Sequence, residues 1–393
     1  MRILEINSVC NGSTGKIACD LARKLIKDGH ECKIAYGRGN PPKEIPSIKI
    51  GSRVSVFFHG LKARLFDKSG FGSTFATKKL IKEIEMFNPD IIHLHNIHGY
   101  YLNVKLLFNY LKQSKKKVVW TLHDCWSFTG HCCYFDYAKC DKWKTECLKC
   151  KSKSDYPKSL ISKAKINFYL KKETFNSLDK NQLILVTPSL WLKKLVNQSY
   201  LNQYQTIVIN NGIDTSIFKY TDSDIKKRFN LENKKIVLGV ASVWDRRKGL
   251  TDFIELSTKL NDEYKIVLIG LKEEQIKKLP VNITGINRTD NIRELVQWYS
   301  VANVFFNPTY EDNYPTVLLE AISCNLSVLT SSVGGCLEIA SMSSSYDIIN
   351  KKNIIKQIET LSNVKNYLLP EYDISVEQFV NKYVNLYATI MED

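Results

Sequence analysis

Short apolar segments alternate with longer helical segments along most of the 393-residue sequence, and no other feature constrains the fold as strongly. The short segments are typical of β-strands. Most of those in the second half of the chain are apolar at successive positions, which indicates strands covered on both faces. Repeated strand–helix units predict an α/β fold with doubly wound parallel sheets.

Two series of strands predict two domains, as the length of the chain also suggests. The predicted strands are Ile3–Ile6, Cys32–Tyr36, Ile91–Leu94, Val118–Leu122 and Leu183–Thr187, then Ile207–Ile209, Ile236–Val240, Lys265–Ile269, Val304–Asn307 and Ser327–Thr330. The predicted helices include Lys16–Lys27, Leu250–Leu260, Ile292–Tyr299 and Pro315–Ser323. Because the second series begins near residue 206, we expect domains at 1–205 and 206–372. A C-terminal helix at 373–393 is expected to pack back toward the N-terminal domain.

Basic residues are concentrated in the first half of the chain. Residues 1–200 contain 35 basic and 16 acidic side chains, whereas residues 201–393 contain 21 and 24, so the net charges are +19 and −3. This concentration indicates contact with an anionic partner. The sequence contains no recognisable nucleic-acid-binding module, and the charge lies on an α/β domain rather than a tail, so we expect no nucleic-acid partner.

The cellular compartment is predicted from the start of the chain and from its cysteines. Met1–Asn11 predicts a core strand rather than a signal peptide, because Glu5 interrupts a short apolar run. No segment approaches the roughly 18 unbroken apolar residues of a membrane span. Eleven cysteines without a secretory signal favour a reduced, cytoplasmic protein.

Ligands of open parallel sheets bind at the carboxyl ends of the strands, so polar residues there are candidate site residues. Gly12–Lys16 is a turn of small residues that opens a helix. It either presents N–H groups to an anion or is only a tight turn. His93 and His95 share one face of a strand; we favour substrate-facing polar residues, His98 included, over a metal pair. His123 ends another strand, as an active-site residue or as a buried core histidine.

A cysteine-rich insert occupies residues 130–151 of the first domain. It contains five cysteines, and Cys147 and Cys150 have the spacing usual for zinc ligands. One interpretation is a structural zinc site held by Cys133, Cys140, Cys147 and Cys150. Simple packing of the thiols is the other.

The second half of the chain contains acidic, basic and glycine-rich strand ends. Glu311 and Asp312 follow a predicted strand, and Glu320 lies in the first turns of the next helix. These carboxylates either favour the helix N-terminus electrostatically or bind sugar hydroxyls. Arg246–Lys248 suits a diphosphate, unless it is only a solvated group of charges. Gly334–Gly335 is a turn of small residues before a helix.

Together these residues resemble the retaining glycosyltransferases of family 4, which have the GT-B fold, and in particular those of bacterial surface polysaccharide synthesis. The resemblance covers essentially the whole chain. It is most specific at Asn307–Glu320, which is similar to an acidic motif with seven residues between its two acids. It implies two Rossmann-like domains facing each other across a cleft. The first would bind mainly the acceptor and the second mainly the nucleotide-sugar donor.

The resemblance also implies how the donor is held. Its diphosphate would lie near Lys248 and the Gly334–Gly335 turn, Gly15 would donate its N–H to the donor phosphate, and Glu320 would hydrogen-bond the nucleotide ribose. Val243 stands where the family usually has an arginine. We therefore expect Arg247, or its neighbour Arg246, to supply the missing cation.

Three further residues are expected to lie at the reacting sugar. Glu311 or Asp312 would contact the donor sugar, and His123 matches a histidine beside the reacting carbon. His95 and His98 are expected on the acceptor side, and no catalytic metal is expected. A sugar-nucleotide epimerase or a phosphorylase of the same fold is the alternative function.

Basic and apolar residues are interspersed between residues 53 and 82. This mixture suits an amphipathic segment on an anionic bilayer, with an ordinary basic exterior as the alternative. The resemblance implies a lipid-linked saccharide acceptor, so we expect a peripheral location on the inner face of the cytoplasmic membrane. The basic residues are Arg53, Lys62, Arg64, Lys68, Lys78, Lys79 and Lys82, and the apolar residues are Val54, Val56, Phe57, Phe58, Leu61 and Leu65.

Overall fold

The protein is described by a computed structural model that covers residues 1–364 and 372–392. The chain divides into two compact units. The N-terminal unit consists of Met1–Asn210 together with the chain from Phe379 onward, and the C-terminal unit is Asn211–Gln378. Each unit contains one parallel sheet with helices between its strands, which confirms the predicted α/β class.

The sheet of the N-terminal unit has seven parallel strands in the order β3-β2-β1-β4-β5-β6-β7. The strands are β1 (Arg2–Val9), β2 (Glu31–Arg38), β3 (Ser47–Lys49), β4 (Ile91–Leu94), β5 (Lys117–Thr121), β6 (Leu183–Thr187) and β7 (Thr206–Val208). The α-helices between them are α1 (Gly12–Lys27), α2 (Arg53–Phe66), α3 (Thr74–Phe87), α4 (Val104–Ser114), α5 (Ala164–Phe175) and α6 (Leu190–Gln198). All four residues of β4 are buried, as expected for a central parallel strand.

The sheet of the C-terminal unit has six parallel strands in the order β10-β9-β8-β11-β12-β13. The strands are β8 (Lys235–Val240), β9 (Tyr264–Ile269), β10 (Ile283–Ile286), β11 (Val304–Asn307), β12 (Val328–Thr330) and β13 (Tyr346–Ile348). The helices of this half of the chain are α7 (Ile225–Arg228), α8 (Leu250–Ser257), α9 (Glu273–Ile276), α10 (Ile292–Val301), α11 (Thr316–Ser323), α12 (Cys336–Ala340), α13 (Ile354–Ser362) and α14 (Val376–Glu392). None of the helices in the described parts of the chain has the length and apolar character needed to span a bilayer.

The junction between the two units differs from the predicted boundary near residue 206. The strand expected to open the second series is β7, which pairs with β6 through Val186 and Ile207 and so completes the first sheet. The units divide after Asn210. A short apolar strand carries no information about which sheet it joins, so the sequence could not place it. Residues 365–371 of the predicted second domain lie outside the described residues.

Both sheets contain a point at which the order of their strands reverses. In the N-terminal unit the chain builds outward from β1 to β3 and then returns to add β4 on the other side of β1; β8 and β11 have the same relation in the C-terminal unit. A crevice forms between the loops at such a point, beyond the carboxyl ends of the strands. A ligand site is therefore expected at the ends of these four strands.

The last helix, α14, belongs to the N-terminal unit from Phe379 onward. Tyr383 and Tyr387 are buried in that unit. The hydroxyl oxygen of Tyr383 is 2.8 Å from Thr121 Oγ1, and that of Tyr387 is 2.7 Å from His93 Nδ1. The amphipathic helix thus contributes polar groups as well as apolar surface to the core.

Candidate functional site

The turn after β1 is itself the first turn of α1. The helix begins at Gly12 rather than at the expected Lys16, so the backbone N–H groups of this turn lie at the N-terminus of a 16-residue helix. Such N–H groups lack partners within the helix and favour an anion. A side chain at Gly15 would place its Cβ 2.5 Å from the carbonyl carbon of Cys10, so only glycine allows this close approach.

Glu5 of β1 lies at the centre of a buried hydrogen-bond network. Its Oε2 atom is 2.6 Å from His95 Nε2 and 3.1 Å from His93 Nδ1. His95 Nδ1 is in turn 3.1 Å from His123 Nε2. These contacts follow from the sheet: Glu5 is the register partner of His93, His95 follows β4, and His123 follows β5. A continuous path of hydrogen bonds therefore joins Glu5 to His123.

The network keeps Glu5 ionised and His95 and His123 neutral. Burial alone would raise the pKa of Glu5, but charge interactions and hydrogen bonds with His93 and His95 outweigh it and lower that pKa to about 2. Burial lowers the pKa of His95 to about 4, although the hydrogen bond and the charge of Glu5 act to raise it. Burial and the neighbouring His95 also hold the pKa of His123 well below its usual range. At neutral pH the network carries the carboxylate charge of Glu5 beside the uncharged His95 and His123.

A second pair of polar residues lies beside His123. His98 Nε2 is 2.8 Å from Asp124 Oδ2, and His98 Nδ1 is 3.3 Å from the hydroxyl of Tyr156. One pocket is lined in part by His95, His98, His123, Asp124 and Trp126. The expectation that His95 faces a substrate needs revision, because its two ring nitrogens contact Glu5 and His123 and only 1% of the residue is exposed.

The cysteine insert does not bring the four predicted zinc ligands together. Among the described residues, the groups of three or more potential ligands within 4.8 Å of one another are Glu5–His93–His95 and His98–Asp124–Cys133. Cys132, which was not predicted, instead hydrogen-bonds Cys150, and this bond lowers the pKa of the Cys150 thiol to about 6. Cys133 lies instead beside His98 and Asp124.

In the C-terminal unit, the basic turn after β8 is bonded to the acidic loop after β11. Arg247 Nη1 donates a hydrogen bond of 2.7 Å to the carbonyl oxygen of Glu311. The N–H of Tyr310 donates to the carbonyl oxygen of Arg247 at 2.8 Å. Lys248 forms an ion pair with Asp312. The predicted diphosphate-binding cations and the predicted sugar-binding acids therefore lie together at one strand reversal.

The Gly334–Gly335 turn closes against the same acidic loop. Gly334 has a φ of +58°, which disfavours other residues, and a Cβ at this position would lie 1.6 Å from the carbonyl oxygen of Asp312. The N–H of Gly335 donates to the carbonyl oxygen of Asn313 at 2.8 Å. The turn is thus fixed beside Asp312, with Gly335 buried and Gly334 partly exposed.

Glu320 does not cap the helix in which it lies. It is the fifth residue of α11, and the N-cap position, Pro315, makes no side-chain capping bond. Its Oε2 atom accepts a hydrogen bond of 2.9 Å from the hydroxyl of Tyr299 on α10. Tyr299 therefore orients the half-buried carboxylate, which is consistent with a binding role rather than a capping role.

The structure thus groups the predicted residues into two sets, one in each unit. The N-terminal set contains Gly15, His95, His98 and His123, and the C-terminal set contains Arg247, Lys248, Glu311, Asp312, Glu320, Gly334 and Gly335. Glu5 and Tyr387 are not among the residues predicted from the sequence. The signal for Glu5 was present, since a charged residue in a buried parallel strand needs polar partners. Tyr387 carried no signal, because it reaches the site only through the tertiary fold.

Comparison with known proteins follows the same division of the chain. Residues 14–217 match the family model described as Glycosyltransferase Family 4, and residues 234–385 match that described as Glycosyl transferases group 1. A protein of Escherichia coli (strain K12), named for colanic acid biosynthesis as the glycosyl transferase WcaC, is 24% identical over 99% of this chain and all of its own length. An N,N'-diacetylbacillosaminyl-diphospho-undecaprenol α-1,3-N-acetylgalactosaminyltransferase of Campylobacter jejuni is 28% identical over 36% of this chain and 40% of its own.

Solved structures match both units at once. Sucrose-phosphate synthase of Thermosynechococcus elongatus has a TM-score of 0.70 and 14% identity, with 100% of this chain and 99% of that chain covered. Anabaena HepE, solved in complex with UDP and glucose, has a TM-score of 0.65 and 12% identity, with 99% and 100% covered. At these identities the likeness establishes the fold, which is GT-B.

Proposed function

Because this chain belongs to Glycosyltransferase Family 4, we propose that it moves a sugar from a nucleotide-sugar donor to a hydroxyl group of a lipid-linked saccharide acceptor. The family establishes that the chain is a glycosyltransferase. The donor, the acceptor, the retained anomeric configuration and the membrane surface are the proposed parts. Bacterial surface polysaccharide synthesis is the pathway to which the full-length relative WcaC is assigned by name.

One observation carries the donor assignment: the basic turn after β8 and the acidic loop after β11 are bonded to each other. Arg247 is hydrogen-bonded to the loop at Glu311, and Lys248 forms an ion pair with Asp312. A diphosphate needs fixed cations, and a sugar ring needs carboxylates that accept hydroxyl hydrogen bonds. In this chain the cations and the carboxylates lie on two loops that are bonded to each other. HepE, which shares the fold, was solved with UDP-glucose, a ligand of this kind.

The chemistry of transfer fits this arrangement. Breaking the bond between sugar and phosphate leaves negative charge on the diphosphate and positive charge on the sugar ring. Arg247 and Lys248 would stabilise the diphosphate as this charge grows. The leaving phosphate can take the proton of the acceptor hydroxyl in an attack on the same face. Retention then needs no carboxylate nucleophile, unlike retaining glycosidases.

His123 is the candidate for the residue beside the reacting sugar carbon. Its low pKa keeps the imidazole uncharged at neutral pH, so it would not repel the positive charge that develops on the ring. His98 and Asp124, which line the same pocket, would offer hydrogen bonds to acceptor hydroxyls. The acceptor of the Campylobacter relative is named as a sugar linked through diphosphate to undecaprenol. An acceptor of that class suits an enzyme that works at a membrane.

A transfer assay tests the proposed reaction. Nucleotide sugars are screened for thermal stabilisation of the protein, and those that bind are incubated with lipid-linked saccharide acceptors. We expect release of the free nucleoside diphosphate only when an acceptor is present, together with an acceptor lengthened by one sugar. Release without acceptor would indicate an epimerase, and consumption of inorganic phosphate a phosphorylase. Either result would contradict the proposal.

The surface around α2 supports an anionic bilayer as the partner of the N-terminal unit. Large apolar side chains on this helix and at the start of α3 are exposed, Phe57 by 66% and Phe75 by 85%. The exposed Leu160 joins them, because its N–H donates to the carbonyl oxygen of Arg64. Basic residues lie close to these apolar residues in the sequence, at Arg53, Lys62, Arg64, Lys68, Lys78, Lys79 and Lys82. Apolar side chains that insert between headgroups, surrounded by cations, match an anionic lipid surface.

Vesicle sedimentation tests this part of the proposal. Wild-type protein is expected to bind vesicles of phosphatidylserine and phosphatidylcholine more tightly than vesicles of phosphatidylcholine alone. The double variant Phe57→Ser, Phe58→Ser should lose about tenfold or more in affinity, since each buried aromatic contributes more than 1 kcal/mol. Val281→Ser is the matched control, because Val281 is 95% exposed in the other unit. Equal binding to both kinds of vesicle would contradict an electrostatic membrane role.

A further inference from the structure

His98, Asp124 and Cys133 form a compact group of side chains of the kinds that bind zinc. One ring nitrogen of His98, one carboxylate oxygen of Asp124 and the thiol sulfur of Cys133 all lie within 4.8 Å of one another. His98 and Cys133 are buried, and the side chain of Asp124 is 12% exposed. The donor atoms of three ligands around one tetrahedral zinc ion are roughly 3.3 to 3.8 Å apart. The three side chains therefore need only small movements to share an ion.

We propose that His98, Asp124 and Cys133 form a binding site for zinc(II). Imidazole nitrogen, carboxylate oxygen and thiolate sulfur are the donors that zinc takes in proteins, whereas magnesium and calcium take oxygen. The sequence predicted Cys133 as a zinc ligand together with three other cysteines of the insert. The structure instead places it beside a histidine that follows β4 and an aspartate that follows β5.

The charges of these three ligands match a divalent cation. On binding, the ion displaces the proton of the Cys133 thiol, which passes to solvent. The thiolate and the carboxylate of Asp124 then supply two negative charges, and His98 binds as a neutral imidazole. The occupied site is neutral as a whole, which matters because an uncompensated charge is unfavourable in a buried place.

Neighbouring groups already hold the ligands in suitable orientations. The hydroxyl of Tyr156 is 3.3 Å from His98 Nδ1, so it can accept the Nδ1 proton and leave the Nε2 lone pair for an ion. The N–H of Trp126 donates to Asp124 Oδ1 at 2.8 Å, which leaves Oδ2 facing His98 Nε2, also at 2.8 Å. The N–H of Cys125 donates to the carbonyl oxygen of Cys133 at 2.8 Å. Such partners orient the ligands of known metal sites.

The pocket beside the group has room for a fourth ligand. Three protein ligands leave one position of a tetrahedral ion for water. His98 and Asp124 line a pocket of about 10 Å³, which is roughly the space that one water molecule needs. The proposed function assigns acceptor hydroxyls to the same two side chains, and one consequence rests on it: zinc would compete with the acceptor. Zinc should then raise the KM for the acceptor and leave the donor Kd unchanged.

X-ray absorption spectroscopy of the whole protein tests the site without any variant. Protein without a histidine tag is freed of metal with EDTA, separated from the chelator and loaded with one equivalent of zinc chloride. We expect one sulfur ligand at about 2.3 Å and three nitrogen or oxygen ligands at about 2.0–2.2 Å. Loss of the zinc during gel filtration, or a spectrum with two or more sulfur ligands, would overturn the inference.

Cobalt(II) in place of zinc identifies the sulfur ligand. A thiolate bound to cobalt(II) gives an intense near-ultraviolet band that nitrogen and oxygen ligands do not give. Cys133→Ser should lose this band and bind zinc more than about 100-fold more weakly. Cys132→Ser is the matched control, because Cys132 is the adjacent buried thiol and is not in the group. If the band disappears in Cys132→Ser and persists in Cys133→Ser, the ion belongs to the insert and the proposed site is wrong.

A gentler variant covers the case in which Cys133→Ser does not fold, which thermal melts establish. Tyr156→Phe removes only the hydroxyl beside His98 and should weaken zinc binding about 10- to 100-fold. An unchanged zinc affinity in this variant would also count against the site. None of these measurements needs a donor or an acceptor, so they decide zinc binding even if the protein transfers no sugar. In a protein that does transfer sugar, an acceptor KM that ignores zinc would refute the competition.

Discussion

Glu5 shows how one buried charge decides the state of the residues around it. An ionised carboxylate in the middle of a parallel sheet is unfavourable unless donors surround it, and His93, His95 and Tyr387 are those donors. The carboxylate in turn fixes the positions of these three side chains, because each must direct an N–H or O–H group toward one of its two oxygen atoms. At the residue scale, Glu5, a fully buried strand residue, therefore organises the polar side chains around it.

The buried histidines predict that acid destabilises the protein. The pKa of His95 is lowered from its ordinary 6.5 to about 4, so the unfolded chain takes up a proton that the folded chain refuses. Its contribution to stability is full above pH 6.5 and is lost as the pH falls toward 4, by about 2 kcal/mol at pH 5. Glu5 adds a further loss between pH 4.5 and about 2.

Urea denaturation at pH 7 and pH 5 measures this loss. The free energy of unfolding should fall less steeply in His95→Gln, which keeps both hydrogen bonds but has no group that titrates. Between pH 7 and pH 5, the wild type should lose about 2 kcal/mol more free energy of unfolding than the variant. Parallel behaviour of wild type and variant would show that His95 is not the titrating group.

Arg247 is predicted to be the cation that replaces the arginine missing at position 243. The guanidinium of Arg247 is hydrogen-bonded to the acidic loop, whereas the neighbouring Arg246 is exposed. Arg247→Ala should weaken UDP binding about tenfold or more, because a charge-assisted hydrogen bond contributes roughly 1.5–3 kcal/mol. Arg246→Ala is the matched control and should change the Kd less than about threefold. Isothermal titration with UDP checks both, and equal effects would refute the assignment.

At the scale of the elements, the strand reversals are what bring the site residues together. In the C-terminal unit, loops that are more than sixty residues apart in sequence meet because β8 and β11 are neighbours in the sheet. The turn at Gly334 then packs on the same loop from the end of β12. The geometry of these loops therefore sets the proposed donor site.

Gly334→Ala tests this packing. The new methyl group would overlap the carbonyl oxygen of Asp312 and would also sit at an unfavourable φ, so the acidic loop must move. We expect a loss of more than about 2 kcal/mol in stability and weaker UDP binding. Gly29→Ala is the control: Gly29 has a φ of +84° but no atom near the position of a Cβ. It should cost about 1 kcal/mol and leave UDP affinity unchanged.

The strands and the acidic motif could be predicted from the sequence because each has a local signature. Apolar runs predicted the central strands, and the spacing of Asp312 and Glu320 drew attention to the loop after β11. The short edge strands β3, β10 and β13 lack such runs and were missed. Glu5 and Tyr387 acquire their roles only from neighbours more than eighty residues away. Spacing in the sequence likewise could not show that Cys132, rather than the predicted Cys133, contacts Cys150.

At the scale of the whole molecule, the charge divides along the same line as the two units. The N-terminal half carries +19 and the exposed apolar helix α2, whereas the half that contains the donor motifs is nearly neutral. Under the proposed function, the basic unit would bind the membrane surface and the nearly neutral unit would bind the nucleotide.

This division predicts a strong effect of salt on membrane binding. Raising the salt concentration from about 0.1 M to about 1 M shortens the Debye length from about 10 Å to about 3 Å. The affinity for phosphatidylserine vesicles should then fall at least about tenfold, because several lysines act together. The weak affinity for phosphatidylcholine vesicles should not fall. Vesicle sedimentation across a salt series measures both, and binding that ignores salt would contradict the assignment.

The return of α14 to the N-terminal unit has a consequence for synthesis. The ribosome makes Tyr383 and Tyr387 only after the whole of Asn211–Gln378, so the N-terminal unit cannot complete its core when its own sheet is finished. At ordinary rates of translation this delay lasts roughly 10 to 30 s. During that time the nascent chain presents an open core around Glu5 and His93. The region around His123 is therefore the part of this enzyme to which chaperones and proteases have access for longest.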